Sequence, residues 1–122
     1  MIIVALILST NCFSQIKIES LVGKWRFENT TDYNDSIVKS SVKQFDFIIH
    51  ENGNFDMPSK EYSISGTWEL TNSTLTLIGK RSDKEETKTE KMKIYSVNEQ
   101  KLSFILITEN QKESLMNLKR IK

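Results

Sequence analysis

The chain reads as an all-β protein, an eight-stranded antiparallel barrel in up-and-down order. Three observations predict this class. Apolar and polar residues alternate with a period of two through stretches such as Leu21–Asn29 and Glu61–Leu70, the pattern of a strand with one face buried. The breaks between such stretches are short polar clusters, clearest at Asn52-Gly53, where a hairpin finds the positive φ it needs. No long stretch carries the 3.6-residue apolar period of a helix. About eight short strands joined by hairpins close naturally into a barrel, which removes both sheet edges. The alternative, a β-sandwich, prefers long crossover connections, and few connections here have that length.

The elements follow in order from Ile16. Ile16–Ser20 is a short lead-in, a helical turn or a lid across one end. Leu21–Asn29 forms the first strand, with Leu21, Gly23, Trp25 and Phe27 on one face and Lys24, Arg26 and Glu28 on the other. Thr30–Ile37 is a polar loop rich in Asn and Asp. Val38–His50 reads as a longer strand with Phe45, Phe47 and Ile49 on one parity, and Glu51–Asn54 as the hairpin turn. Phe55–Met57 continues until Pro58 stops it. Glu61–Leu70 alternates strictly, placing Tyr62, Ile64, Gly66, Trp68 and Leu70 together. After the turn at Thr71–Ser73, Thr74–Lys80 points Leu75 and Leu77 inward. Arg81–Lys91 is a hairpin tip of mixed charge, the composition of a solvated ribbon. Met92–Val97, Lys101–Thr108 and Glu113–Lys122 complete the strands, with turns at Asn98–Gln100 and Glu109–Lys112.

The first residues differ in kind from the rest. Ile2–Leu8 is an unbroken apolar run, too short for a bilayer span of about twenty residues but long enough for the core of a signal peptide. Cys12 and Ser14 stand at small-x-small spacing, so residues 1–14 are expected to be a signal peptide and residues 15–122 the barrel domain. No Lys or Arg precedes the apolar run, a departure from the usual signal. The expected location is outside the cytoplasm: periplasmic, secreted or at the cell surface. Cys12 is the only cysteine, and contact with a membrane is expected only if it carries a lipid. Cleavage before Gln15 leaves no thiol, so stability would rest on core burial and sheet hydrogen bonds.

A resemblance emerges from the ordered series Leu21-Val22-Gly23-Lys24-Trp25, then Phe47 and Ile49 leading into the Asn-Gly turn, then Gly66-Thr67-Trp68, then Leu75-x-Leu77. Together these resemble the bacterial lipocalin-like domains, over most of the chain beyond residue 14. The resemblance implies an interior that takes a small hydrophobic ligand. It also implies that Trp25, following Gly23, closes the barrel floor under a basic side chain, for which Arg120 is suitably placed. Such a cation–π contact is worth about 0.5–2 kcal/mol. The chain is much shorter than typical lipocalins and lacks an evident C-terminal helix, so the resemblance leaves the size of the cavity open.

The chain offers little chemistry for catalysis. One histidine, His50, excludes a multi-histidine metal site, and no nucleophile elbow or glycine-rich phosphate loop is present. Asp46 and Asp56 are positioned to face one another across a hairpin. The net charge of +1 argues against nucleic acid as a partner. No enzyme activity, cofactor or metal is expected. The aromatic residues on the inward parity, Phe27, Phe47, Tyr62, Trp68 and Phe104, are the candidate ligand-binding residues, with Tyr33 as part of a lid. They serve equally as plain core. The alternative function is a protein-interaction module with a filled core, docking a protein partner through the outward isoleucines Ile48, Ile105 and Ile107.

Overall fold

A computed structural model describes residues 16–39, 42–107 and 112–122; residues 1–14 and Cys12 lie outside them. A single helical turn, α1 (Ile18–Leu21), precedes β1 (Gly23–Thr31), β2 (Asp46–Ile49), β3 (Asn54–Met57), β4 (Ile64–Thr71), β5 (Thr74–Arg81), β6 (Thr87–Val97), β7 (Lys101–Ile107) and β8 (Glu113–Ile121). Each strand pairs antiparallel with the next, and β8 returns to β1, closing an up-and-down barrel. Closure gives every strand two neighbours, so the sandwich alternative does not apply.

The registers fix which residues face inward. Trp25 stands opposite Phe47 on one side and Arg120 on the other. Phe55 is opposite Ile49 and Gly66, Trp68 opposite Leu77, and Phe104 opposite Ile94 and Met116. The core built from these positions includes Leu21, Trp25, Phe47, Phe55, Leu75, Leu102, Phe104 and Leu118, all nearly inaccessible. Burying each large side chain contributes roughly 1.5–3 kcal/mol. Two glycines make room for one of them. Gly66 and Gly79 face each other across β4 and β5. A Cβ on Gly66 would strike the Ile78 carbonyl, and one on Gly79 would meet the Phe55 ring at 2.7 Å. Close strand approach and an aromatic ring laid over it require glycine at both positions.

Several boundaries differ from the sequence reading. The long strand expected over Val38–His50 is regular only at Asp46–Ile49. Alternation is strict only from Phe45 onward; upstream, Val38 N–H donates to Thr30 O and Phe45 O accepts from Phe27 N–H. Those bonds satisfy the Phe27 N–H and the Thr30 carbonyl of β1. The first strand starts at Gly23 rather than Leu21, because Leu21 ends α1. β4 starts at Ile64 rather than Glu61, leaving Tyr62 outside the sheet. At the Asn-Gly turn only Gly53 has positive φ, +94°. Asn52 instead accepts the Asn54 N–H through its side chain. The charged tip is more strand than loop, since β5 and β6 pair out to Lys80 and Thr87.

The α1 end is sealed by one cluster. The Arg120 guanidinium lies 4.2 Å from the Trp25 ring centroid. Its three nitrogens donate to Ser20 O (2.9 Å), Val22 O (2.8 Å) and Glu99 O (2.6 Å). The Trp25 indole N–H donates to Leu21 O at 2.9 Å. Gly23 has φ +141°, and any Cβ there would overlap Arg120 Nη1. A short helix with free C-terminal carbonyls thus acquires its donors from two side chains of the barrel.

Arg120→Ala is therefore expected to lower stability by about 2–4 kcal/mol in urea unfolding, through lost charge-assisted hydrogen bonds and ring contact. Arg120→Lys should recover only part of it, because an ammonium cannot reach three carbonyls in a plane. An alanine variant as stable as the parent would show that the cluster contributes nothing to the fold.

Candidate functional site

With the α1 end plugged, the open space lies toward the other end. A cavity of about 600 Å³ is walled by Phe55 and Met57 of β3, Ile64 of β4, Leu77 and Gly79 of β5, Met92 of β6, Leu106 of β7 and Met116 of β8. Its mouth carries Arg81, Lys84, Glu86, Lys88, Glu90 and Lys91 from the β5–β6 hairpin. Most of these strands supply the residues by simple alternation, because inward positions recur every second residue. The volume falls within the range of small-molecule pockets, and the apolar wall with a polar mouth is their usual composition.

The five aromatic residues expected to bind ligand are distributed differently. Phe27, Phe47 and Phe104 are buried in the packed interior, where Phe47 contacts Phe55 and Phe104 at ring-centroid distances of 6.0 and 6.5 Å. Phe27 stacks on Phe45 at 5.6 Å. Trp68 is half-buried on the inward face of β4, and its indole N–H donates to His50 O at 2.8 Å. Tyr62 lies in the β3–β4 connection under the Arg81 guanidinium, 3.6 Å from its ring centroid. None of the five is among the residues that wall the cavity. The structure brings Phe47 and Phe104 together, and leaves Tyr62 and Trp68 apart from them. Met57, Met92, Leu106 and Met116 were missed as lining residues. Their distribution was a usable signal: every methionine after Met1 lines this one cavity.

Tyr33 does not sit over the mouth. It follows β1, contacts Tyr95 of β6 edge-on at 5.3 Å and donates to Glu113 of β8 at 3.2 Å. The loop therefore crosses the outside of β8 and β7. On that outer face Asn117 donates to Asn29 Oδ1 (3.0 Å) and Thr31 Oγ1 (2.9 Å), and accepts from Ser103 at 2.6 Å. Asn117 and Ser103 are almost completely buried, and their bonding makes that burial tolerable. Ile48 and Ile105 stand on the outward parity and are half-buried, Ile105 also bordering the cavity, with β8 and β1 standing between their strands. The Ile107 side chain lies outside the described residues.

Asp46 and Asp56 do not face one another. Asp46 accepts two hydrogen bonds from Arg26, at 2.7 and 3.1 Å, which hold its carboxyl below the usual carboxylate range. Asp56 Oδ2 lies 2.7 Å from His50 Nε2 on the outer face of the β2–β3 hairpin, away from the cavity. The described residues contain no cluster of three or more His, Cys, Asp and Glu arranged to hold a metal.

No protein-family model matches the chain, and no curated protein matches it either. Among solved structures, it is similar to a lipocalin-like protein from Bacteroides uniformis ATCC 8492, with a TM-score of 0.61 and 12% identity, covering 84% of this chain and 99% of that one. At that identity the likeness speaks for architecture alone: the chain shares that protein's fold, with its own eight strands closed in up-and-down order.

Asp46 sets a pH dependence. Its folded pKa is depressed below the unfolded value, so its contribution is complete above about pH 4 and is lost as pH falls through the lower folded value. The stability difference between the parent and Asp46→Asn, measured by urea unfolding, should favour the parent at neutral pH and shrink steadily in acid. A difference that stays constant down to the acid transition would rule out the Arg26 pair as its source.

Proposed function

We propose that the protein is an exported, non-enzymatic carrier that binds a small hydrophobic molecule in the cavity between β3 and β8. One observation carries this reading: a barrel filled by its own side chains at the α1 end keeps about 600 Å³ of apolar-walled space at the other. An interior of this strand number either packs solid or holds one small ligand, and here the two solutions occupy opposite halves. Export is supported by the Ile2–Leu8 run and the small residues after it. Binding rather than catalysis is supported by the position of His50, held by Asp56 on the outer face. Leu77, Ile64 and Phe55 supply contact area with no hydrogen-bonding demands, so affinity would follow the apolar area a ligand buries.

Nile red, an uncharged apolar dye, should bind saturably with about one site per chain, read by its fluorescence. Leu106→Trp, which fills the cavity from β7, should weaken that binding at least about tenfold. Ile78→Trp, on the outer face of β5 opposite Thr67 and Thr89, should leave it as in the parent. Equal affinity in the parent and Leu106→Trp would place the dye elsewhere and remove the basis for the carrier reading.

A further inference from the structure

We propose that the outer part of β6 is a docking edge for a second copy of this chain, joined antiparallel about a two-fold axis at Thr89. The proposal is independent of the cavity and of what fills it. β6 has 11 residues and β7 only 7. β5 pairs with β6 from Lys93 out to Thr87 in one unbroken register, whereas β7 pairs with it only from Lys93 to Val97. Among the described residues, Thr87–Met92 therefore has a partner strand on one side alone. The Ile94 N–H donates to Ser73 O, on the β5 side, at 2.8 Å. Successive residues of a strand direct their backbone groups to opposite sides. Lys88, Glu90 and Met92 thus bond toward β5, and Thr87, Thr89 and Lys91 turn their N–H and C=O groups to the open side, where no described strand meets them. Such an edge is a template for another strand.

The side chains select the strand that fits. Lysine on a sheet edge normally deters pairing, but here it alternates with threonine and glutamate. Thr87–Lys91 is exposed throughout, and Lys88, Glu90 and Lys91 form no salt bridge among the described residues. With the axis at Thr89, that threonine meets its own copy, and Thr87 of each chain meets Lys91 of the other. These are the residues with open backbone groups, so each pair exchanges both of its N–H···O bonds. Lys88 of each copy then lies directly opposite Glu90 of the other, in the closer, non-hydrogen-bonded pairing where opposite charges attract. The neighbouring registers fail. An axis at Lys91 sets that lysine against its own copy, and one at Thr87 carries the second chain onto the turn between Arg81 and Thr87. The contact is self-complementary, so it closes as a dimer and does not grow into a fibre.

A contact of one strand pair belongs to the small, transient class. In sedimentation equilibrium at low salt the full chain should therefore dimerise with a Kd of roughly 100 µM. Lys88→Glu and Glu90→Lys should each weaken this at least about tenfold, because either change sets like charges opposite one another on both sides of the axis. Mixed in equal amounts, the two variants should associate at least as tightly as the parent, since every facing pair is then of opposite sign. Thr89→Pro removes an N–H from the open side and no bond to β5, and should abolish association. A parent that stays monomeric at about 1 mM overturns the proposal. Failure of the mixed charge variants to associate overturns the axis at Thr89. Association unchanged by all three substitutions overturns it as well, because the contact would then lie elsewhere, the apolar run Ile2–Leu8 included.

Discussion

Arg120 and Trp25 decide how the barrel is used. A guanidinium at the end of β8 lies over an indole at the start of β1 and collects three carbonyls, two beside α1 and one from the β6–β7 turn. The Ser20 and Val22 carbonyls are part-buried at the edge of the apolar core, where an unpaired acceptor costs about 1–3 kcal/mol. The cluster joins the first strand, the last strand and the lead-in helix, and it seals that end. Gly23 is part of the same arrangement, because the guanidinium occupies the space a side chain would need.

Sealing one end leaves the other as the only place where interior space can remain. The lower interior is filled by Trp25, Phe47, Phe104 and Leu118, and Phe55 reaches across the glycine pair of β4 and β5. Above Phe55 the inward positions pass to methionine and leucine, then to charged residues where the β5–β6 hairpin projects into solvent. The gradient from aromatic floor to flexible wall to charged mouth comes from one rule, alternation, applied at different heights. It gives the site its polarity.

The outer face carries a second constraint. In most small barrels the outward parity meets water. Here Ser103, Asn117 and Thr31 face outward and are nevertheless buried, with the loop after β1 passing over β8 and β7 to reach Tyr95. Asn117 satisfies both ends of its amide within that layer. A polar network so fully bonded specifies the register of three strands, since a slip of one residue would bury its members without partners.

Strict alternation made most of the fold legible from the sequence: the β class, the strand count and the inward parity of Trp25, Phe47 and Trp68 depend on local period and on chain order, whereas the pairing of Arg120 with Trp25 was implied by the family resemblance. The sequence also exposed the tight turns, whose residues are chosen by backbone sterics that act over a few positions. Val38–His50 misled because apolar residues at intervals do not ensure a partner strand: Asp46–Ile49 pairs regularly with β1, and before it Phe45 and Val38 each bond to β1 singly. The cavity was not legible for a different reason. Alternation says that Phe47 and Met92 both point inward, but not at which height, and height is set by the shear of a closed sheet. The same holds for Asp46 and Asp56, which share an outward face in the sequence yet take separate partners, Arg26 and His50, across different strands. Period fixed the face of each residue; only the closed barrel, through register and stagger, decided its neighbours, and so which half is core and which half is open.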